Sequence, residues 1–365
     1  MFLILINLQH KLFQNYISDK MATIPNILLI YTGGTIGMVQ DYKTGVLRAF
    51  NFNELLKHIP EINQLNCSIE SISFKNPIDS SNMNPNNWVQ IAEIIEENYE
   101  NFDGFVVLHG SDTMSYTASA ISFMFENLSK PIIFTGSQLP IGHLRTDAKE
   151  NLITAIEIAS LKEDGKSVIE EVCLYFEYKL YRANRTTKIN AEHFEAFTSP
   201  NFPPLGESGV HLKFSKQLFI KANREKLLEV RKHLNVNIVI VKIFPGITKR
   251  VVESILSIKG LKGIILETYG SGNAPTEKWF IKLLTKAIEK GVYIVNVTQC
   301  IGGSVFLGQY ETSELLKKIG IISGNDITTE SALAKLMYLL GEKIPKSEFK
   351  SVFETPLRGE MSLNL

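Results

Sequence analysis

The sequence predicts an α/β protein of two domains, each a mainly parallel sheet flanked by helices, with the larger domain N-terminal. Short apolar, β-branched runs alternate with longer amphipathic ones along nearly the whole chain. The alternation is broken once, by a stretch rich in Pro and Gly and then in charge. At 365 residues, 44% of them hydrophobic, the chain is long enough to bury two cores.

The elements follow in order. Asn26–Tyr31, Gly104–Leu108, residues 131–135 and Val172–Phe176 are near-continuous apolar runs, as strands covered on both faces require. Between them, residues 86–99, 113–125 and 147–161 repeat apolar side chains at helical spacing. Residues 199–235 read SPNFPPLGESG and later KANREKLLEVRKH, the composition of a connection between domains. Beyond it, strands at 238–243, Gly263–Thr268 and 292–297 alternate with helices near 248–256, 277–289 and 330–340. The expected division is an N-terminal extension (1–21), a catalytic domain (22–206), a linker (207–234) and a C-terminal domain (235–365).

Composition removes several function classes. Thirty-eight Lys plus Arg balance thirty-eight Asp plus Glu, so no net field favours nucleic acid or an anionic membrane, and a small-molecule substrate is expected instead. Cys67, Cys173 and Cys300 are far apart and odd in number, which suits neither a disulfide framework nor a C-x-x-C metal site and points to a reducing compartment. The opening MFLILINLQ lacks a basic leader, its apolar run ends at Gln9 and no small-residue cleavage site follows, so export is not expected. Met21 stands before MATIPNILLIYTGG, the apparent start of a domain, so residues 1–20 read as an arm or a misassigned start. No apolar run approaches the roughly 20 residues of a spanning helix.

In parallel sheets ligands bind where strands end and loops lead into helix N-termini. Three such loops carry chemistry. YTGGTIGM (31–38) has glycines for a tight turn and presents Thr35; LHGSDTMSYTAS (108–119) sets Ser111 and Asp112 at a helix mouth; YRANRTTK (181–188) delivers Lys188 after the strand Val172–Phe176. A hydroxyl is a weak nucleophile at neutral pH, and a lysine in a partly desolvated site can activate it through a second hydroxyl or a water. Lys188 would then draw a proton by way of Ser111 while Asp112 orients the lysine or a substrate amine, and glycine N–H groups would stabilise an oxyanion. Residue by residue the plainer readings stand beside these: an ordinary turn at Thr35, a helix cap at Ser111 and Asp112, a solvated lysine at 188. Phosphate-loop signatures are absent from the sequence.

Taken together, TGGTIGM, HGSDTM, TGSQ and YRANRTTK resemble the asparaginases, the bacterial type I cytosolic branch in particular. DSSNM (79–83), SPNFPPL (199–205), ETYGSGNAP (267–275) and VTQC (297–300) extend the likeness from about residue 26 to about 359. The resemblance implies hydrolysis of L-asparagine to L-aspartate and ammonia through a β-acyl-enzyme on Thr35. It assigns Ser111, Asp112 and Lys188 to a second active-site triad, and Asp79, Ser80 and Ser81 to the loop that holds the α-amino and α-carboxylate groups. It also implies a cytoplasmic homodimer or homotetramer whose sites are completed by a neighbouring subunit, with no metal or organic cofactor.

Three departures matter. Ser111 stands where the family usually has threonine, keeping the hydroxyl but losing the methyl that restricts its rotamer. The tyrosine often set against the nucleophile is replaced by Val46 or Leu47, leaving Tyr42 and Tyr310 as candidate substitutes. Bacterial type I enzymes can hold an effector carboxylate with an arginine where this chain has Glu267; a carboxylate repels another, so hyperbolic asparagine kinetics are expected and Thr298 and Cys300 read as core or interface residues. The competing readings are an asparaginase-like subunit of an amidotransferase supplying ammonia, which would carry a longer segment before residue 26, and a catalytically inactive amino-acid sensor, which would not need Thr35, Ser111, Asp112 and Lys188 together.

Overall fold

The computed structural model describes residues 24–40, 47–49, 59–308 and 311–363. The N-terminal arm, Tyr42, Val46 and Tyr310 lie outside the described residues. Strands β1 (Asn26–Tyr31), β2 (Ser68–Ser73), β3 (Gly104–Leu108), β4 (Ile132–Thr135) and β5 (Val172–Phe176) run parallel in the order β2-β1-β3-β4-β5. Every residue of β3, β4 and β5 is buried, because helices cover both faces. These are α1 (Pro85–Asn98), α2 (Met114–Met124) and α3 (Ala148–Ser160). Ile30, Val107 and Phe134 face one core with α1 and α2, while Leu29, Val106 and Ile133 face a second core with α3.

β2 was not legible as a strand. Its sequence, SIESIS, is exposed or half-buried throughout, as an edge strand with polar alternation must be. The chain after β5 also departs from expectation. It turns back antiparallel as β6 (Lys179–Arg182). The hairpin turn uses two left-handed residues, Glu177 (φ 45°) and Tyr178 (φ 66°). Lys188 therefore follows an intervening strand rather than β5 itself. It lies in β7 (Thr187–Lys188), which pairs with β8 (Phe197–Thr198) as a separate two-stranded ribbon.

The large sheet continues through β9 (Gly206–Ser208) and β10 (Leu212–Phe214), so it extends into the stretch expected as linker. Glu229–Val230 in turn pair with Phe125–Glu126. Pro and Gly marked the bends here, and the short pairing segments between them carry no long apolar run.

The smaller sheet is wholly parallel: β11 (Ile238–Lys242), β12 (Gly263–Thr268), β13 (Tyr293–Thr298) and β14 (Ile322–Ser323), side by side in that order. Around it lie α4 (Lys249–Leu256), α5 (Lys278–Glu289), α6 (Glu311–Lys318), α7 (Thr329–Gly341) and α8 (Lys346–Glu354). Helix α7 is buried on most of its surface, because it packs against its own sheet on one side and on α2 of the larger domain on the other. Arg185 and Asp326 form a buried ion pair across this seam at 2.8 Å. Lys335 of α7 is fully buried, and its ammonium donates to the Phe353 and Thr355 carbonyls and to Glu360. All three of its protons are used, the condition under which such a charge is tolerated inside.

Candidate active site

Two glycines bring the first loop into the site. After β1, Thr32 donates from N and Oγ1 to the Leu108 carbonyl, at 3.0 and 2.9 Å, fastening the loop to the end of β3. Gly33 and Gly34 then take φ of 131° and 87°. A Cβ on Gly33 would lie 2.2 Å from the Ile78 carbonyl oxygen, and one on Gly34 would lie 2.5 Å from N and Cα of Gly110. No side chain fits either place. Thr35, half-buried, opens a short 3₁₀ turn (Thr35–Gly37) immediately beyond the contact with Gly110, the residue before Ser111.

The DSSNM segment packs beneath the same junction. Ile78 N donates to the Thr32 carbonyl at 2.8 Å, and Thr113 Oγ1 donates to the Ser80 carbonyl at 2.7 Å. Ser80 is buried, and its Oγ is the atom that a Cβ on Gly110 would strike. Asp79 accepts from N and Oγ of Ser81, each at 2.9 Å. Those bonds, the backbone one foremost, hold its carboxyl below the usual carboxylate range. The three loops that carry Thr35, Ser80 and Ser111 thus meet at the carboxyl ends of β1, β2 and β3.

The helix-cap reading of Ser111 and Asp112 does not hold. Both belong to a 3₁₀ turn ahead of α2, whose N-cap is Thr113, and no side chain caps that helix. Their side chains turn to Lys188 instead. The ammonium donates to Ser111 Oγ at 2.9 Å and to Asp112 Oδ1 at 2.7 Å. Only 16% of the Lys188 side chain is exposed, so it is not a solvated surface lysine; Asp112 is 64% exposed and faces open space.

Gln138 belongs to this cluster and was not singled out from the sequence. Ser111 Oγ donates its proton to Gln138 Oε1 at 3.1 Å. The amide orientation is fixed, because Nε2 donates to the carbonyls of Ala191 (3.2 Å) and His193 (3.0 Å). Asp147 secures the loop by accepting from N of Gln138 and of Leu139, at 2.9 and 3.1 Å, while burial raises its own carboxyl pKa. The TGSQ run held a signal, a polar side chain just past a buried strand. The two carbonyls that orient its amide come from sequence more than 50 residues away, which no local pattern reveals.

His109 supports the site from below. It is fully buried, with Nδ1 2.7 Å from the Gly110 carbonyl, and desolvation pushes its pKa down to about 4. It is therefore neutral and donates through Nδ1. At the other strand ends, Glu267 accepts from Thr329 Oγ1 at 2.8 Å and lies 3.6 Å from Lys242 Nζ. Thr298 donates to the Gly270 carbonyl, and Cys300 is exposed rather than part of a core. Among the described residues no cluster of three or more His, Cys, Asp or Glu could hold a metal ion, and no helix is long and apolar enough to cross a membrane.

Two α/β domains, with a hydroxyl, a carboxylate and an amine clustered beside a threonine loop, hold the parts that an acyl-transfer enzyme needs. Family models match in that order: "Asparaginase, N-terminal" over residues 26–219 and "Glutaminase/Asparaginase C-terminal domain" over 237–353. The chain belongs to the asparaginase family. It is 41% identical to L-asparaginase 1 of Escherichia coli K12, over 92% of this chain and 98% of that one. The crystal structure of L-asparaginase I from Vibrio cholerae superposes with a TM-score of 0.85 at 40% identity, covering 93% of this chain and 99% of that one. The mouse 60 kDa lysophospholipase is 39% identical across 92% of this chain, which spans 62% of that longer protein.

Proposed function

We propose that this chain hydrolyses the side-chain amide of L-asparagine, giving L-aspartate and ammonia. The observation that carries the reading is the Lys188 ammonium bonded to both Ser111 and Asp112, beside a Thr35 loop packed main chain to main chain on the residue before Ser111. Thr35 Oγ1 attacks the amide carbon; the C–N bond breaks, ammonia leaves with the proton from the hydroxyl, and an ester to Thr35 remains. Water then attacks that ester, and Thr35 recovers its proton as aspartate departs. Lys188, as the neutral amine, draws the Thr35 proton by way of Ser111, and Asp112 holds the ammonium so formed. Asp79, Ser80 and Ser81 hold the α-ammonium and α-carboxylate, so binding energy positions the amide against Thr35.

The protein works in the cytoplasm as a homodimer or homotetramer and needs no cofactor; the exposed face of Asp112 leaves room for a neighbouring subunit. Steady-state ammonia release by the purified chain, with asparagine and with glutamine, tests the reading, and Thr35→Ala should abolish it. Turnover requiring an added partner protein would favour the amidotransferase subunit. Binding of asparagine with no turnover by wild type would favour the sensor.

A further inference from the structure

Lys188 is carried by a strand of two residues, and part of what holds that strand comes from the other domain. Among the described residues β7 has a single ladder neighbour, β8. The residue beside the lysine, Thr187, donates through Oγ1 to Glu330 Oε1 at 2.6 Å. Glu330 lies in the first turn of α7, just past the N-cap Thr328, and is buried. The groups facing its carboxyl are Thr187 on β7, Thr328 at the cap, Glu267 at the end of β12 and Tyr116 on α2. Desolvation, with Glu267 adding to it, raises the carboxyl pKa, so an acid at this place is costly to bury. The same helix also lies against α2, which follows Ser111 and Asp112.

We propose that Glu330 of the C-terminal domain is a positioning residue for Lys188, setting through Thr187 the reach of the ammonium to Ser111. This rests on the role given to Lys188 above. Glu330 meets neither substrate nor reacting atoms. It acts by pinning the main chain from which a long, flexible side chain extends, and a displacement of about 1 Å at such a group costs on the order of a hundredfold in rate. The contact crosses the domain seam, so the C-terminal domain takes part in the chemistry of the N-terminal one within a single chain.

The test compares kcat and KM for asparagine in wild type, Glu330→Gln, Glu330→Ala and Thr187→Val, with thermal melts confirming the folded fraction. Gln keeps an acceptor for the Thr187 hydroxyl, Ala removes it, and Val removes the donor while keeping its shape. Glu330→Ala and Thr187→Val should each lower kcat about tenfold or more with KM within about threefold, and Glu330→Gln should stay within about threefold of wild type in kcat. The double variant should be no worse than the poorer single one. If Glu330→Ala does not fold, Thr187→Val alone decides by the same criterion. Unchanged kcat in the folded variants, or KM rising in step with a loss in all three, overturns the proposal while leaving the hydrolase reading intact. A wild type without turnover overturns both.

Discussion

At Ser111 a single hydroxyl is held from two sides. It accepts a hydrogen bond from Lys188 and donates one to Gln138, whose amide is locked by two carbonyls. That second bond does what the missing methyl of threonine would do, confining the rotamer by an acceptor rather than by bulk. For Ser111 to pass a proton to Lys188, the lysine must be the neutral amine and the O–H must swing away from Gln138 towards it. Ser111→Thr should therefore leave kcat within a few-fold of wild type, whereas Ser111→Ala should lower it by about 10²–10⁴, read by steady-state ammonia release. A loss below tenfold in the alanine variant would remove the hydroxyl from the proton path. His109 allows a second prediction. Its folded pKa, near 4, lies below the unfolded value of about 6.5, because burial disfavours the charged ring. The unfolded chain thus takes up a proton that the folded one refuses, and stability falls as pH drops through that window, by roughly 3 kcal/mol for this group. Urea unfolding at pH 7 and pH 5 should show the fall, and His109→Gln should flatten it.

Among the elements, those that build the sheets could be read directly. β1, β3 and β5 coincide with apolar runs that are continuous because both faces are covered, and α1, α2 and α3 end within a residue of their apolar periodicity. What escaped were elements whose stability is not local. β2 borrows its order from β1, β7 from β8, and β9 from β6. Ser111, Asp112 and Lys188, singled out from their loops, lie together in the fold, with the Thr35 loop against Gly110; Gln138 and Glu330 did not stand out, since each acquires meaning only from a partner distant in sequence. The first loop yields its own prediction. Gly34→Ala places a Cβ 2.5 Å from the Gly110 backbone at a φ of 87°. About 1–3 kcal/mol of backbone strain adds to the clash, so the variant should unfold at clearly lower urea, and the fraction that folds should turn over asparagine poorly because Thr35 is pushed off station. Wild-type stability and kcat would refute the tight contact.

For the molecule as a whole, the two domains meet along α7. Arg185–Asp326 and Thr187–Glu330 tie them side by side. Glu267 faces this seam, with its carboxylate already engaged by Thr329 and near Lys242. An acidic group there offers nothing to a second asparagine's carboxylate. Initial rates against asparagine should fit a rectangular hyperbola with a Hill coefficient of one; a value clearly above one would mean that an effector binds despite Glu267.

The fully buried Lys335 carries the last consequence. Of its three acceptors, two are carbonyls at the end of α8 and just past it, and the third is Glu360, whose carboxylate also receives the amides of Leu357 and Arg358. Clipping the tail ahead of Glu360 would strand a cation in the interior without its counter-charge, so a protease that nibbles a few residues there would leave an unstable remnant instead of a slightly shorter enzyme. Fusion partners are better joined after the tail than substituted for it.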